Sequence, residues 1–522
     1  MAFMSKEIAP GLLEGQVLSR DAAYDCDVCI VGSGAGGAVA AATLQRAGLK
    51  VIVLEEGGYF ARERFRMNEE EAFRDLYQEG GALMPKDASV LILQGKAVGG
   101  TTVVNWTTSF RTPASVLERW RTHHAVHGVT HDMLQPHFEA IEERLSIGKV
   151  PLDRLNRNNR LLYDGCRTLG YHIDTIPRNV NNCAHLGYCG MGCPIDAKQS
   201  MLVSYLPDAM EAGATVISRC RVDRLVSKAG RIASVEGTLL DASGRYATGV
   251  SITVRAKHFI LSAGAIGSPG ILLRSGLPDP HGRAGLRTFI HPVVNSLAEY
   301  PDPVEGFYGA PQSVASHEFY DRGDEVGFLL EAVPVHPGLF SSAAPGIGDS
   351  HRAIMERMAY TAVHLALTGD GLHDDVPGGR VELRRDGSAL LDYRIAPRTW
   401  RALRDAQKIL ARIQLAGGAK RVVTFHDPAV EIRKESEIKR IDDAPFAPGR
   451  MGVFSAHVMG GAGMSDDPAQ GVVRSEDVRH HQVPNLHVID GSVFPTGLGV
   501  NPQESIYGIA HLMASRLREA WT

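Results

Sequence analysis

The feature that most constrains this chain is a glycine string set between a strand pattern and a helix pattern. Asp27-Val-Cys-Ile-Val31 is a short apolar run of the kind that forms a buried strand. Gly32-Ser33-Gly34-Ala35-Gly36-Gly37 follows it directly, and a run of small residues from about Ala35 predicts a helix that Gly48 stops. Lys50-Val-Ile-Val-Leu54 then reads as a second strand, completing a β-α-β unit whose parallel strands require a sheet covered on both faces. The spacing G-x-G-x-x-G has a mechanical meaning there. Gly32 permits the tight turn, Gly34 lets a pyrophosphate approach the backbone, and Gly37 lets the helix lie close on the sheet. The helix N-terminus turns its unpaired N–H groups and positive dipole end toward the phosphates. Glu55 ends the second strand, 23 residues after Gly32, where a carboxylate accepts both ribose hydroxyls and repels a 2′-phosphate. These elements predict a dinucleotide site but do not separate FAD from NAD.

A length of 522 residues exceeds what one core organises, so two or more packed units are expected. No internal repeat or low-complexity block is visible. His258-Phe-Ile-Leu-Ser262 reads as another buried strand leading into a glycine-rich turn. From about 300 to 450 the character changes: prolines, alternating stretches such as Gly379-Arg-Val-Glu-Leu383, and one long helical pattern from Thr399 to Leu415 predict an inserted, largely antiparallel unit. With 55 basic against 59 acidic side chains and no long run of either sign, no basic surface for nucleic acid is expected. The N-terminus Met1 to Pro10 carries no secretory pattern, and no apolar stretch of about 18 residues suggests a membrane span. The cysteines are seven and unevenly placed, unlike a disulfide framework, so a reduced cytoplasmic protein is expected.

Three further segments carry a resemblance. Gln94-Gly95-Lys96-Ala97-Val98-Gly99-Gly100-Thr101-Thr102-Val103-Val104-Asn105-Trp106 resembles the second flavin-contacting loop of the glucose–methanol–choline oxidoreductases. Leu261-Ser-Ala-Gly264-Ala-Ile-Gly267-Ser268-Pro269, continuing to Gly276, is similar to their second signature, with Pro278 where a glycine is usual. Asp490-Gly491-Ser492-Val-Phe-Pro495 and Gly499-Val500-Asn501-Pro502 resemble their closing segment. The matches run in the family's order from about residue 25 to 515. The wording from Gly99 to Pro113, with Ser455-Ala456-His457, looks most like the long-chain fatty alcohol oxidase branch.

The resemblance implies an α/β fold, with a Rossmann-like FAD-binding domain and a second substrate domain built on a largely antiparallel sheet. Residues 20–115, 200–285 and 455–522 are expected to form the first, and 116–199 and 286–454 the second with its lid segments. It implies FAD as cofactor, contacted at Gly32, Gly34, Ala35, Gly37, Glu55, Gly95, Gly99, Gly100, Thr101, Asn105, Val222, Ala263, Asp490, Gly491, Asn501 and Pro502. Some members tether the flavin through a histidine at the position of Val104, so non-covalent FAD is expected here.

Alcohol oxidation needs a base for the hydroxyl proton and an acceptor for hydride. Neutral imidazole suits the first task. His457 matches the family's catalytic histidine, and Asn501 the second active-site position, where the family carries histidine or asparagine. The expected mechanism has His457 accept the O–H proton while hydride passes to flavin N5 and Asn501 holds the alcohol oxygen. His480-His481 reads as a surface loop, His511 as part of a final helix, and Cys26 with Cys29 as strand residues rather than a metal pair. The expected partners are a small-molecule alcohol and either oxygen or another electron acceptor, with lipophilic primary alcohols favoured by the branch resemblance. Phe307, Tyr308, Leu339 and Phe340 are candidate pocket-lining residues. The sequence does not indicate the oligomeric state.

One island stays open. Cys183, Cys189 and Cys193 form C-x5-C-x3-C among glycines. The stretch resembles the ligand segment of flavin glucose dehydrogenases with a three-iron cluster, which would make the protein a sugar or polyol dehydrogenase relaying electrons. With His185 it could hold zinc, and otherwise it is a loop near the flavin. A flavin lyase of the hydroxynitrile lyase type, an NAD-dependent dehydrogenase and a silent flavoprotein are the competing functions.

Overall fold

A computed structural model describes residues 10–522, so the N-terminal reading over Met1 to Ala9 lies outside the described residues. The β-α-β unit forms as its pattern requires. The strands Ala22–Val31 and Val51–Leu54 pair in parallel, with Val28 against Val51 and Val31 against Leu54, and the helix Ala35–Arg46 joins them. This helix buries Ala38 through Ala42 and Leu44, where side chains of this size allow close contact with the sheet.

The sheet around this unit has eight strands. Leu12–Glu14, Thr215–Ser218, Val51–Leu54, Ala22–Val31 and Ala247–Leu261 lie side by side in parallel, and Leu486–Val488 pairs in parallel with the last of these. The strands Arg231–Leu240 and Cys220–Lys228 extend it as an antiparallel edge. The strand expected around His258–Ser262 therefore begins eleven residues earlier, at Ala247, because its first half pairs with the edge hairpin.

The second large sheet has nine strands. Its centre is Val293–Glu299, Thr361–Thr368 and Phe328–Ala332, paired antiparallel. The helix Pro397–Ala416 packs on it through Leu403, Ala406, Leu410 and Ile413. The strand Val453–Ser455 joins the edge of Val293–Glu299, and a separate four-stranded antiparallel sheet takes in Met459–Gly460. His457 thus lies between two sheets, at a crossing no local pattern marks.

Two readings need correction. His480 is 2% exposed and accepts the Gln482 N–H, so the His480-His481 pair is not a surface loop. His511 does lie in the final helix, Gln503–Trp521. Tyr308 is 61% exposed, and neither it nor Phe307 lines the central cavity, whereas Leu339 and Phe340 do. Among the described residues no helix is long and apolar enough to cross a membrane.

Candidate active site

The nucleotide turn is held by contacts that explain its glycines. Gly32 adopts φ +101°, and a Cβ there would meet the Ser262 carbonyl at 2.2 Å. The residue between the fingerprint positions, Gly36, is the tightest: its Cβ would lie 1.8 Å from the Ile489 carbonyl. Gly34 is different. A Cβ there would face open cavity, with only the Gly100 Cα within 4 Å, at 3.8 Å. The helix behind it starts without a side-chain cap or an acidic residue in its first turn, which leaves its N–H groups free for an anion.

Ser33 links the turn to its surroundings. Its hydroxyl accepts the Gly99 N–H at 2.9 Å and donates to Glu55 Oε2 at 2.7 Å. Glu55 also accepts the Ser33 N–H at 2.9 Å and the Gly57 N–H at 2.7 Å, which fixes its carboxylate at the strand end. Burial nevertheless raises its pKa.

The loop from Gly99 to Trp106 is fixed from behind. Lys198, 2% exposed, donates to the carbonyls of Val103, Asn105 (3.1 Å) and Cys189 (2.7 Å), and burial pulls its pKa down to about 8. Asn105 Nδ2 donates to Gln503 Oε1 at 2.5 Å, tying the same loop to the final helix. Lys198→Met is expected to cost about 3 kcal/mol of stability in urea unfolding, because three buried carbonyls lose their donor. At the other side Asp490 accepts the Gly264 N–H (2.9 Å) and the Ser268 hydroxyl (2.6 Å), closing the turn after strand Ala247–Leu261.

These pieces surround one cavity of about 1190 Å³, above the roughly 300–1,000 Å³ of a pocket for one small ligand. Gly32, Gly34, Ala35, Glu55, Gly95, Gly100, Thr101, Asn105, Val222, Ala263, Asp490, Gly491, Asn501, Pro502 and His457 all line it. Gly37 and Gly99 do not: a Cβ on Gly37 would meet the Gly32 carbonyl, and Gly99 bonds Ser33. The open cradle at Gly34, the free helix N-terminus and the acid at Glu55 fit the diphosphate and ribose of FAD.

His457 and Asn501 meet in this cavity. His457 Nε2 lies 3.5 Å from Asn501 Nδ2, and its Nδ1 lies 3.4 Å from His291 Nδ1, both looser than an ordinary hydrogen bond. The ring opens toward the cavity, yet the protein around it pulls its pKa down to about 4, so it is neutral near neutrality. Ser455 places it by accepting the His457 N–H at 3.2 Å while donating to the Ile290 carbonyl. His291 Nε2 accepts the N–H groups of Leu498 and Gly499, at 3.2 and 2.9 Å, which ties the Asn501 segment to the same corner. Asp370 holds that corner from below, accepting the N–H groups of Ile290 and His291 and the Tyr393 hydroxyl. His291, Glu331, Gln312 and Lys198 escaped sequence reasoning, because buried polar residues on strands and loops carry no spacing signal.

The cysteine loop is built differently from a ligand cage. Among the described residues no group of three or more His, Cys, Asp or Glu side chains is placed to hold a metal ion. Cys189 Sγ instead accepts from Arg178 at 3.5 Å, and Cys183, Cys189 and Cys193 do not line the cavity.

The chain is similar to known proteins over most of its length. Residues 73–293 and 376–510 match two family models described as GMC oxidoreductase, and residues 30–68 match one described as an NAD(P)-binding Rossmann-like domain. An uncharacterized GMC-type oxidoreductase of Mycobacterium tuberculosis (strain ATCC 25618 / H37Rv) is 34% identical over 492 residues, covering 94% of this chain and 75% of the relative. Long-chain-alcohol oxidase FAO1 of Arabidopsis thaliana is 27% identical, over 99% of this chain and 70% of that protein. Among solved structures, pyridoxine 4-oxidase from Mesorbium loti superposes with a TM-score of 0.69 at 18% identity, covering 95% of this chain and 99% of that one. A formate oxidase of Aspergillus oryzae RIB40 gives 0.71 at 15%, covering 96% and 99%.

Proposed function

The chain belongs to the GMC oxidoreductase family and is an FAD-dependent oxidoreductase acting on CH–OH donors, and from that premise we propose that it oxidises a lipophilic alcohol to the aldehyde or ketone, with His457 taking the hydroxyl proton. The observation that carries this reading is the placement of His457 and Asn501, 3.5 Å apart, where the nucleotide cleft meets a sheet face that presents Val293, Val363 and Leu365 beside the polar Asn295 and Glu331. Val293, Val363 and Leu365 project from that sheet into the cavity, and Leu339, Phe340 and Phe425 complete the wall. Such a wall favours an alkyl or aryl group over a sugar by about 25 cal/mol per Å² of apolar surface buried. The name of the Arabidopsis relative, a long-chain-alcohol oxidase, points the same way.

Bound FAD supplies the hydride acceptor. The chain's own part is to orient the alcohol and hold its proton. Asn501 donates to the alcohol oxygen and keeps the carbinol in line. His457, neutral at the cavity wall, receives the proton on its unprotonated ring nitrogen. The loose contacts of that nitrogen leave it free for the hydroxyl and are expected to tighten when substrate binds. The division expected from the sequence, with 20–115, 200–285 and 455–522 holding the cofactor, goes with this reading.

Two measurements test it. Under anaerobic conditions aliphatic and aromatic alcohols should bleach the flavin, and sugars should not; a flavin that stays oxidised with every alcohol would leave the lyase reading. At the position of Val104, which is 4% exposed, there is no nucleophile for a flavin tether. Acid precipitation should therefore release all of the FAD into the supernatant, and a yellow pellet would show a covalent bond.

A further inference from the structure

One buried acid in this cavity has no part in the reaction described above. Glu331, on strand Phe328–Ala332, is 1% exposed and lines the cavity. Its Oε2 accepts from Gln312 Nε2 at 2.9 Å and, more loosely, from Asn501 Nδ2 at 3.5 Å. Its Oε1 is buried with no partner. Gln312 is itself held by the Thr108 hydroxyl at 2.7 Å, so a polar chain runs from Thr108 through Gln312 to Glu331. Beyond Asn501 comes His457. The carboxyl therefore reaches the imidazole through a single amide.

The titratable and charged groups around Glu331 are few. His457 lies beyond Asn501, and His291 lies behind His457. The neighbouring strand Thr361–Thr368 contributes His364, whose Nε2 lies 3.1 Å from the Asn158 carbonyl. The strand on the other side, Val314–Ser316, carries no charge. On the helices packed against the sheet, Arg160 pairs with Asp164, and Asp405 pairs with Arg322. None of these cations touches the carboxyl, and burial pushes it up to about 7.

We propose that Glu331 is a positioning residue for the His457–Asn501 pair: its carboxylate orients the Asn501 amide and, across that amide, favours the imidazolium that His457 becomes on taking the alcohol's proton. This rests on the reading of His457 as the proton acceptor. In the step itself the alcohol O–H bond breaks and an N–H bond forms on His457; Glu331 gains and loses nothing. An imidazole lowered by burial is a weak base alone, and the negative charge of a carboxylate one amide away favours its protonated form through space. While Glu331 carries its proton that help is missing, so the rate rises as pH passes through the titration of the carboxyl and then levels off.

The test is the rate of flavin reduction by a primary aliphatic alcohol, followed from about pH 5.5 to 9 in wild-type, Glu331→Gln and Glu331→Asp holoenzyme. Wild type should rise about 10- to 100-fold, as expected for one hydrogen bond to a charged group, with its midpoint near 7. Glu331→Gln should be flat at the wild-type low-pH rate with KM and FAD content little changed, and Glu331→Asp should regain the rise. Thermal unfolding gives a readout without turnover. A carboxyl near 7 in the folded protein and 4.5 unfolded binds more protons when folded, so wild type loses stability relative to Glu331→Gln as pH rises through that window.

A rise that persists in Glu331→Gln, a loss confined to KM, or a stability difference that does not change with pH would each overturn the proposal. Should Glu331→Gln fail to fold, a flat wild-type profile between about pH 6 and 8 overturns it equally, and the expected rise with its return in Glu331→Asp supports it. If no alcohol reduces the wild-type flavin, the alcohol-oxidising reading fails, while the unfolding measurement still decides the ionisation of Glu331.

Discussion

Replacing His457 by alanine is expected to slow anaerobic flavin reduction by an alcohol about 10²- to 10⁴-fold, the range for removing a positioned general base. Stopped-flow absorbance measures it. FAD content should stay at the wild-type level, because the residues proposed to hold the nucleotide, the turn at Gly32–Gly37, Glu55 and the loop at Gly99–Asn105, make no hydrogen bond to the His457 side chain. The sign of the pH dependence follows from the environment of the ring. Burial lowers its pKa to about 4, so in wild type it is already deprotonated at neutral pH and protonation of His457 cannot limit the rate there. Substitution should therefore lower the rate across the whole neutral range, and it should also remove the rise near 7 proposed for Glu331, which acts through this ring. An unchanged rate would remove His457 from the chemistry.

The second large effect separates two glycines only two residues apart. Gly34→Val should give a folded, colourless protein whose affinity for FAD falls at least about 100-fold, since a side chain there fills the cradle where the diphosphate approaches the backbone. The fold has room for the first added carbon: Gly100 Cα is the one atom near a Cβ there, at 3.8 Å. Gly36→Ala should act the other way. Its Cβ would press on the Ile489 carbonyl at 1.8 Å, so the helix Ala35–Arg46 must move off strand Leu486–Val488 and the chain loses about 3 kcal/mol. Circular dichroism with the ratio of flavin to protein absorbance tells the two apart. Equal loss of fold in both variants would show that Gly34 serves packing alone.

The β-α-β unit was legible because its signals are local. Val28 to Val31 and Val51 to Leu54 are apolar runs, Gly32 needs a positive φ, and small residues follow where a helix must approach a sheet. The long helix at Pro397–Ala416 was legible from its periodicity, within two residues of the pattern from Thr399 to Leu415. His457 and Asn501 were legible only through a family resemblance, since a single histidine before a glycine turn has many ordinary roles. The pair His480-His481 misled for a related reason. Two adjacent imidazoles look polar, but His480 is buried beneath the Leu486–Val488 strand, which hydrogen-bonds back through the Leu486 carbonyl.

What the amino-acid sequence determined by itself is the nucleotide half of the protein: strand, turn, helix and acid follow from the order of neighbouring residues, and the covalent spacing sets their geometry. The tertiary structure alone decided which polar groups stand behind His457 and Asn501. His291, Gln312, Glu331 and Asn501 lie far apart along the chain, yet each comes within 3.5 Å of another of them or of His457. Convergence of that kind depends on how two sheets pack, and packing is a sum over many distant contacts that no short stretch of sequence encodes.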